Sequence, residues 1–357
     1  MVLTIVSFII VLGILVFIHE FGHYITAKKS DIMVSEFALG FGPKLLSKKV
    51  GETVYSIRAI PLGGFCNMVG EFPADDSMSE KELEVYDQAK ENGRLFNQKS
   101  TFKRLAVILM GPIMNFLLAV LIFILAFAVF GVPTSTTEEA VLGEVIPEQP
   151  AAEAGLRAND RILEINGQEI NSWEEMSGLI RENADQEITI RYQRQDEENT
   201  INLTPVLSEE SDRGVIGIYP QLIREDVSVF RAFSLGIEQS YQVFTMTIMG
   251  FVQMFRESSA EDIGGPIMIA SIIGQAARVG ILNVLNWTAI ISINLGIINL
   301  LPFPALDGGR ILFIFIEMIR GKAVDPRKES YVHMIGFAIL MFLMLFIIYN
   351  DLMRTFF

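Results

Sequence analysis

The chain has 357 residues, enough for two or three domains, and with 51% hydrophobic residues and a mean hydropathy of +0.40 it is too apolar for an ordinary soluble protein. Its single cysteine, Cys66, excludes an internal disulfide framework and a thiolate zinc cluster. The net charge of −14 is concentrated: residues 131–235 carry 21 Asp/Glu against 8 Arg, residues 28–104 carry 12 Lys/Arg, and no basic patch suggests nucleic acid as a partner.

The first element runs from Val2 to about Ala27 and has no charged residue before Glu20. It reads as a membrane-spanning helix that ends in His19-Glu20-Phe21-Gly22-His23. Ionisable groups are costly in hydrocarbon and need a function there. On a helix, His19 and His23 share a face and can aim two imidazoles at one ion. Glu20 lies about 100° round the helix, which suits a base acting on metal-bound water. Gly22 leaves room for close approach at that face. The bland alternative is a pair of core histidines. Lys28 and Lys29 follow the span, so this end is expected to be cytoplasmic and Met1 outside. A basic region ahead of the apolar run is missing, which argues against a signal peptide.

The next apolar stretch, Val54–Val69, has no helical period. Pro61-Leu-Gly63-Gly64 reads as a turn between two short strands, giving a hairpin that is either plainly cytoplasmic or dips into the protein-lined membrane interior. Residues 71–100 read as a solvated loop with some helix. A second span covers about Leu105–Phe130 and contains Gly111-Pro112 and Asn115, which mark either a kink with an interhelical hydrogen bond or a residue facing the metal site. The acidic segment after it is expected outside the membrane.

Two later apolar runs, 232–255 and 281–301, compete to be the third span. If both crossed, the basic residues from Arg310 to Lys328 would fall outside, and Asp307 would lie across the bilayer from His19. The reading is therefore a surface helix at 232–255, a third span at Ile281–Leu301, and a last span from about Tyr331 to Phe346 or beyond. Asp307, after Pro302 and Pro304 and before Gly308-Gly309, is then the candidate third ligand; the alternative is a helix-capping aspartate.

HExxH in the first span, with Asn299-x-x-Pro302-x-Pro304-x-Leu306-Asp307-Gly308-Gly309 after a later one, resembles the site-2 protease family of intramembrane zinc metalloproteases, in its RseP-like bacterial branch. Gly40-Phe-Gly-Pro43, the IPLGGF run, Gly111-Pro112-Ile-Met-Asn115 and Gly264-Gly265-Pro266 agree, so the resemblance covers nearly the whole length. It implies one catalytic Zn2+ held by His19, His23 and Asp307, Glu20 as general acid/base, and Asn299 near the substrate backbone. Gly63, Gly64 and Phe65 are further substrate contacts if the hairpin adds an extended substrate to its edge. The implied substrates are single-span membrane proteins, such as anti-sigma factors or remnant signal peptides.

The run from Pro150 to Gly167 looks like the PDZ pattern of bacterial membrane proteases, with Asn159 where glycine is usual and Leu142–Val145 at the carboxylate loop. There is room for one such domain, where the enterobacterial member of the branch has two. The whole reads as a polytopic α-helical membrane protein with four transmembrane helices, a membrane-associated β-hairpin and one inserted PDZ (α+β) domain. The expected divisions are 1–130, 131–210 (PDZ), 211–280 (connector with surface helix) and 281–357. The expected setting is a bacterial cytoplasmic membrane, with the PDZ domain and both termini extracytoplasmic and the active site toward the cytoplasm. Rival readings are a non-catalytic peptide-binding module and a metal transporter; an intact Glu20 and the lack of an inverted repeat weigh against them.

Overall fold

The computed structural model describes residues 2–74, 78–147, 149–208, 213–257 and 265–356. The chain forms two compact units, Met1–Leu125 with Phe233–Phe357, and Ala126–Ala232.

In the first unit α1 (Val2–Lys29) has no charged residue as far as Ile18, and Lys28 and Lys29 close its last turn, where cations complement the helix dipole. Two long strands follow, β1 (Val34–Val50) and β2 (Thr53–Met68). Here the structure corrects the sequence reading. The chain reverses at Gly51-Glu52, and Pro61–Gly64 lies within β2. Both strands bend midway, so each supplies two segments to one sheet. Residues 44–50 pair with 53–58 across the turn; Glu36–Leu39 also pairs with Val54–Ile57, its numbers rising together with those of its partner; and Val34–Leu39 pairs on its other side with Gly64–Met68. Gly64–Met68 is thus the last segment of the sheet. Proline and glycine mark a bend there, where the sequence suggested a reversal.

A helix α2 (Glu80–Glu91) follows, opened by a capping box in which the Glu82 N–H donates to the Ser79 hydroxyl and the Ser79 N–H donates to the Glu82 carboxylate. The second long apolar helix is α3 (Thr101–Phe130).

The second unit is α+β. A four-stranded antiparallel sheet, ordered 168–169, 161–165, 188–194, 197–203, packs with α4 (Pro150–Glu153) and α5 (Trp173–Glu182) around Leu142, Ile162, Ile165, Met176, Ile188 and Ile190. Asn159 takes the left-handed conformation expected of it, with φ 70°. The next residue, Asp160, is fully buried and accepts two hydrogen bonds of 2.8 Å from the Arg194 guanidinium. Two expectations are corrected. The unit does not stop at residue 210: strands 213–215, 218–220 and 222–225 return to pair with 206–208, 142–145 and 132–136. Leu142–Val145 is also no open carboxylate loop, because Ile218–Pro220 occupies one edge of it and Asn159 and Asp160 exchange backbone hydrogen bonds with Leu142 on the other.

The chain re-enters the first unit through α6 (Val229–Glu257), followed by α7 (Pro266–Val279), α8 (Ile281–Leu300), α9 (Asp307–Arg320) and α10 (Pro326–Phe356). Among the described residues four helical segments are long and apolar enough to cross a membrane: Val2–Lys29, Thr101–Phe130, Ile281–Leu300 and Arg327–Met353. Val11 and Leu15 of α1 pack with Leu118 of α3, Ile273 of α7, and Ile291 and Leu295 of α8. The helix α6 is not one of the four, yet it does not lie free on a surface as the sequence suggested. A Cβ on Gly236 would fall 2.6 Å from Ile124, Phe244 stacks edge-on against Phe116, and the Thr247 hydroxyl donates to Asn294 of α8 at 2.9 Å. Contacts that advance eight residues on α6 while retreating eight on α3 lay the two helices side by side. Gly236 and the buried Ser240 give α6 the small-residue stripe that permits this. Gly264 of the GGP motif lies outside the described residues.

The β1–β2 turn is tied down by charge. Glu52 accepts a two-pronged hydrogen bond from Arg94 (2.6 and 2.8 Å) and another from Lys28. The Arg94 guanidinium, followed by the Lys28 ammonium, lowers the Glu52 carboxyl from 4.5 to about 2. A depressed carboxyl contributes stability fully above its unfolded value and loses it as pH falls. Amide exchange at Tyr55 and Lys48 is therefore expected to accelerate as pH drops from about 4.5 toward 2 beyond the intrinsic pH dependence. Glu52→Gln should remove that excess; an excess that persists in the variant would show another group to be responsible.

Candidate metal centre

The helices α1 and α3 meet where neither has a side chain. A Cβ on Gly22 would lie 2.3 Å from the Met110 carbonyl oxygen, and one on Gly111 would lie 2.3 Å from His23 Nε2 and 2.9 Å from His19 Cε1. The HEFGH and GP motifs are two halves of one contact.

This closeness fixes both rings. His23 Nδ1 donates to the Val107 carbonyl at 2.9 Å, which leaves the Nε2 lone pair of the neutral ring free. His19 Nδ1 lies 3.2 Å from the Asn115 side-chain amide, whose Oδ1 has no hydrogen-bond partner. With the amide turned so that Oδ1 accepts from the Nδ1–H of His19, both groups are satisfied and His19 Nε2 is also left with its lone pair. The Asn115 carbonyl oxygen accepts from the Ser292 hydroxyl at 2.8 Å, linking α3 to α8.

Asp307 approaches from the opposite side. After α8 the chain turns through Pro302 and Pro304 and folds back so tightly that a Cβ on Gly308 would lie 2.1 Å from the Leu301 carbonyl oxygen, and one on Gly309 2.4 Å from that of Phe303. Only glycine fits at either position. Ala305 sits at φ 77°, costly for a residue with a side chain, and its N–H donates to His333 Nδ1 at 2.9 Å. Asp307 is then the first residue of α9, and its Oδ2 lies 3.1 Å from His19 Nε2 and 3.4 Å from His23 Nε2.

These three donor atoms fit a metal ion. They lie within 4.8 Å of one another, both histidines are buried, and the two Nε2 atoms face each other at 3.3 Å. Two imidazole lone pairs and a carboxylate oxygen directed at one point need a cation between them. Two nitrogens, one oxygen and a side left open toward a cavity are the donor set of catalytic zinc. Cys66 lies outside this cluster: among the described residues the donor atoms that come together here are those of His19, His23 and Asp307.

The open side faces a cavity of about 400 Å³. Its walls are Glu20 with the two histidines, the sheet segment Gly64–Met68, Asn299 at the end of α8, and the Ala305–Asp307 turn with Arg310. Glu71 and Phe72 close it beyond the sheet. The structure thus gathers His19, Glu20, His23, Gly64, Phe65, Asn299 and Asp307. Gly63 does not line the cavity: at φ 115° it packs against the Phe41 ring. Sequence reasoning left the place of Asn115 open and missed His333, Arg310 and Glu71. For His333 the signal was its being the third histidine of the chain; for Arg310 it was the one-turn spacing from Asp307.

Residues 7–343 match the model of peptidase family M50. The chain belongs to peptidase family M50. It is 37% identical to the zinc metalloprotease RasP of Oceanobacillus iheyensis, with 99% of each chain covered. It is 34% identical to the regulator of sigma-W protease RasP of Bacillus subtilis, again with 99% of each covered, and 32% identical to the probable protease eep of Enterococcus faecalis, covering 99% of this chain and 100% of that one. Among solved structures, a PDZ domain of an SdrC-like protein from Listeria monocytogenes is 25% identical over 24% of this chain and 92% of its own, with a TM-score of 0.22. This M50 member is therefore a multi-pass membrane metalloprotease of the site-2 protease family, with zinc as its catalytic cofactor.

Asn115→Ala removes the partner of His19 Nδ1 without touching a donor atom of the cluster. Competition with a chelator should show zinc affinity lowered about tenfold to a hundredfold. Unchanged affinity would mean that His19 is oriented by something else.

Proposed function

We propose that this M50 member hydrolyses a peptide bond within or at the edge of the membrane, with His19, His23 and Asp307 holding zinc and Glu20 moving the proton. The observation that carries the proposal is the shared cavity: the three donor atoms, Glu20, Asn299 and the sheet segment Gly64–Met68 all open onto it.

A membrane helix hides its carbonyls in its own hydrogen bonds, so a substrate has to unwind to be cut. An unwound stretch can add as a further strand along Gly64–Met68, whose paired side is taken by Val34–Leu39. Phe65 and Gly64 then shape the side of the cavity that the strand meets. Asn299 is placed to hydrogen-bond the substrate backbone or the oxygen that gains charge. Zinc, when bound, supplies Lewis-acid activation of water and of the peptide carbonyl. Glu20 takes the proton from the attacking water and returns it to the leaving nitrogen. Val107 and Asn115 engage the two Nδ1 atoms, which leaves both Nε2 atoms directed at the zinc position.

The charge distribution supports an orientation. The 12 Lys/Arg of residues 28–104 lie toward the cytoplasm and the acidic residues 131–235 outside. With four spans, His19, His23 and Asp307 fall near the cytoplasmic side and both termini outside. The substrates are single-span membrane proteins, anti-sigma factors or remnant signal peptides among them. The PDZ unit then excludes bulky ectodomains, and the occupied edges of Leu142–Val145 weigh against peptide capture at that strand.

Glu20→Gln should retain zinc and cleave a model single-span substrate at least about 10³-fold more slowly, since general acid–base catalysis of this kind contributes factors of roughly 10²–10⁴. Cleavage at the wild-type rate would sink the mechanism. A cysteine placed at the exposed Asn199 should react with an impermeant maleimide only from the extracytoplasmic side. Labelling from the cytoplasm would reverse the topology.

A further inference from the structure

We propose that Arg310 is a carboxylate-binding site for the cleaved product, and that Glu71 occupies it in the resting protein. The inference rests on the reading that the cavity is where the peptide is cut.

Arg310 follows Asp307 by three residues on α9, so it projects from the same side of the helix as the candidate ligand. It is the one Lys or Arg among the described residues that line the cavity. Its guanidinium is half-buried, with Phe72 beneath it at 5.6 Å and the Glu71 carboxylate in an ion pair with it. The Glu71 side chain is only 10% exposed, so the pair is largely withdrawn from water. Glu71 also sits three residues beyond Met68, the end of the sheet segment proposed to hold substrate, and its N–H donates to the Met68 carbonyl at 3.2 Å. A peptide laid along Gly64–Met68 therefore runs beside this pair.

The charges give the pair a use. An uncut peptide brings no charge to the cavity at the scissile bond. Hydrolysis adds water across that bond and, with both protons of the water ending on the leaving nitrogen, leaves a carboxylate on one half and an ammonium on the other. The ammonium half departs with the proton that Glu20 returns. The carboxylate is a new negative group in a cavity that already holds Glu20 and Asp307. Of the cavity's charged side chains only Arg310 attracts it, and a guanidinium matches a carboxylate in a two-pronged geometry. The group already on Arg310 is itself a carboxylate, supplied by the chain. Glu71 thus keeps the cation partnered when no product is present, and yields it when hydrolysis makes a competitor.

The test measures binding to zinc-loaded protein in detergent. The probes are the amino-terminal half of a cleaved model substrate, ending in a free carboxylate, and the same peptide with a carboxamide end. The wild type should bind the acid about tenfold more tightly than the amide, as expected for a charge-assisted pair. Arg310→Gln should bring that ratio near one, Arg310→Lys should restore part of it, and Glu71→Gln should enlarge it. The double variant should behave as Arg310→Gln. Zinc content and thermal stability serve as controls for assembly of the site. An acid preference retained in Arg310→Gln would assign the carboxylate to the metal alone and overturn the inference, as would equal affinities in the wild type. Binding of neither peptide by the wild type would instead overturn the peptide-site reading, and this inference with it.

Discussion

Two membrane helices cross with no side chain between them, and the rest of the site depends on that contact. Gly22 and Gly111 let α1 and α3 approach until the imidazoles of His19 and His23 are pressed against the α3 backbone. In that position the Val107 carbonyl and the Asn115 amide lie within hydrogen-bond distance of the two Nδ1 atoms. Both Nε2 atoms then point to one place, and hydrocarbon-facing residues such as Ile5, Ile9 and Leu121 surround the bundle. A larger residue at either glycine would separate the rings from their partners and from each other. The cost of burying the two imidazoles is offset in part because each Nδ1 atom has a designated partner.

The third donor reaches the same place by different means. No helix could carry Asp307 there directly, since α8 ends at Leu300 and α9 begins at Asp307 itself. The connection is a tight fold-back, made possible by two glycines and held by His333 from α10. Four elements therefore cooperate: α1 carries two donor atoms, α3 orients them, the α8–α9 turn brings the third, and α10 steadies the turn. The sheet adds a fifth by laying Gly64–Met68 along the open side. The donor atoms and the sheet segment come from different parts of the chain and meet in one cavity.

The sequence made the parts with strong local patterns legible. Uncharged runs at Val2–Ile18 and Leu105–Phe130 announced α1 and α3, and the spacing of His19, Glu20 and His23 announced a metal. Asp307 was reached by counting spans against charge, and it lies 3.1 Å from His19. What was not legible depends on distant partners. Pro61–Gly64 has turn composition, but pairing with Val34–Leu39 makes it a bend inside a strand. The three strands after residue 212 have three or four residues each, too short for a periodic signal, so the end of the second unit was placed too early. The helix α6 reads as amphipathic, and only its contacts show that Gly236 and Ser240 face a neighbour rather than a membrane surface. His333 and Glu71 act over long sequence separations, which no local pattern encodes.

The central claim is that His19, His23 and Asp307 form one zinc site. X-ray absorption at the zinc edge of the loaded protein tests it most directly. A shell of nitrogen and oxygen with the scattering signature of two imidazoles is predicted, together with loss of one light ligand and weakened binding in Asp307→Ala. A sulfur ligand, a single imidazole, or a spectrum unchanged by Asp307→Ala would contradict it.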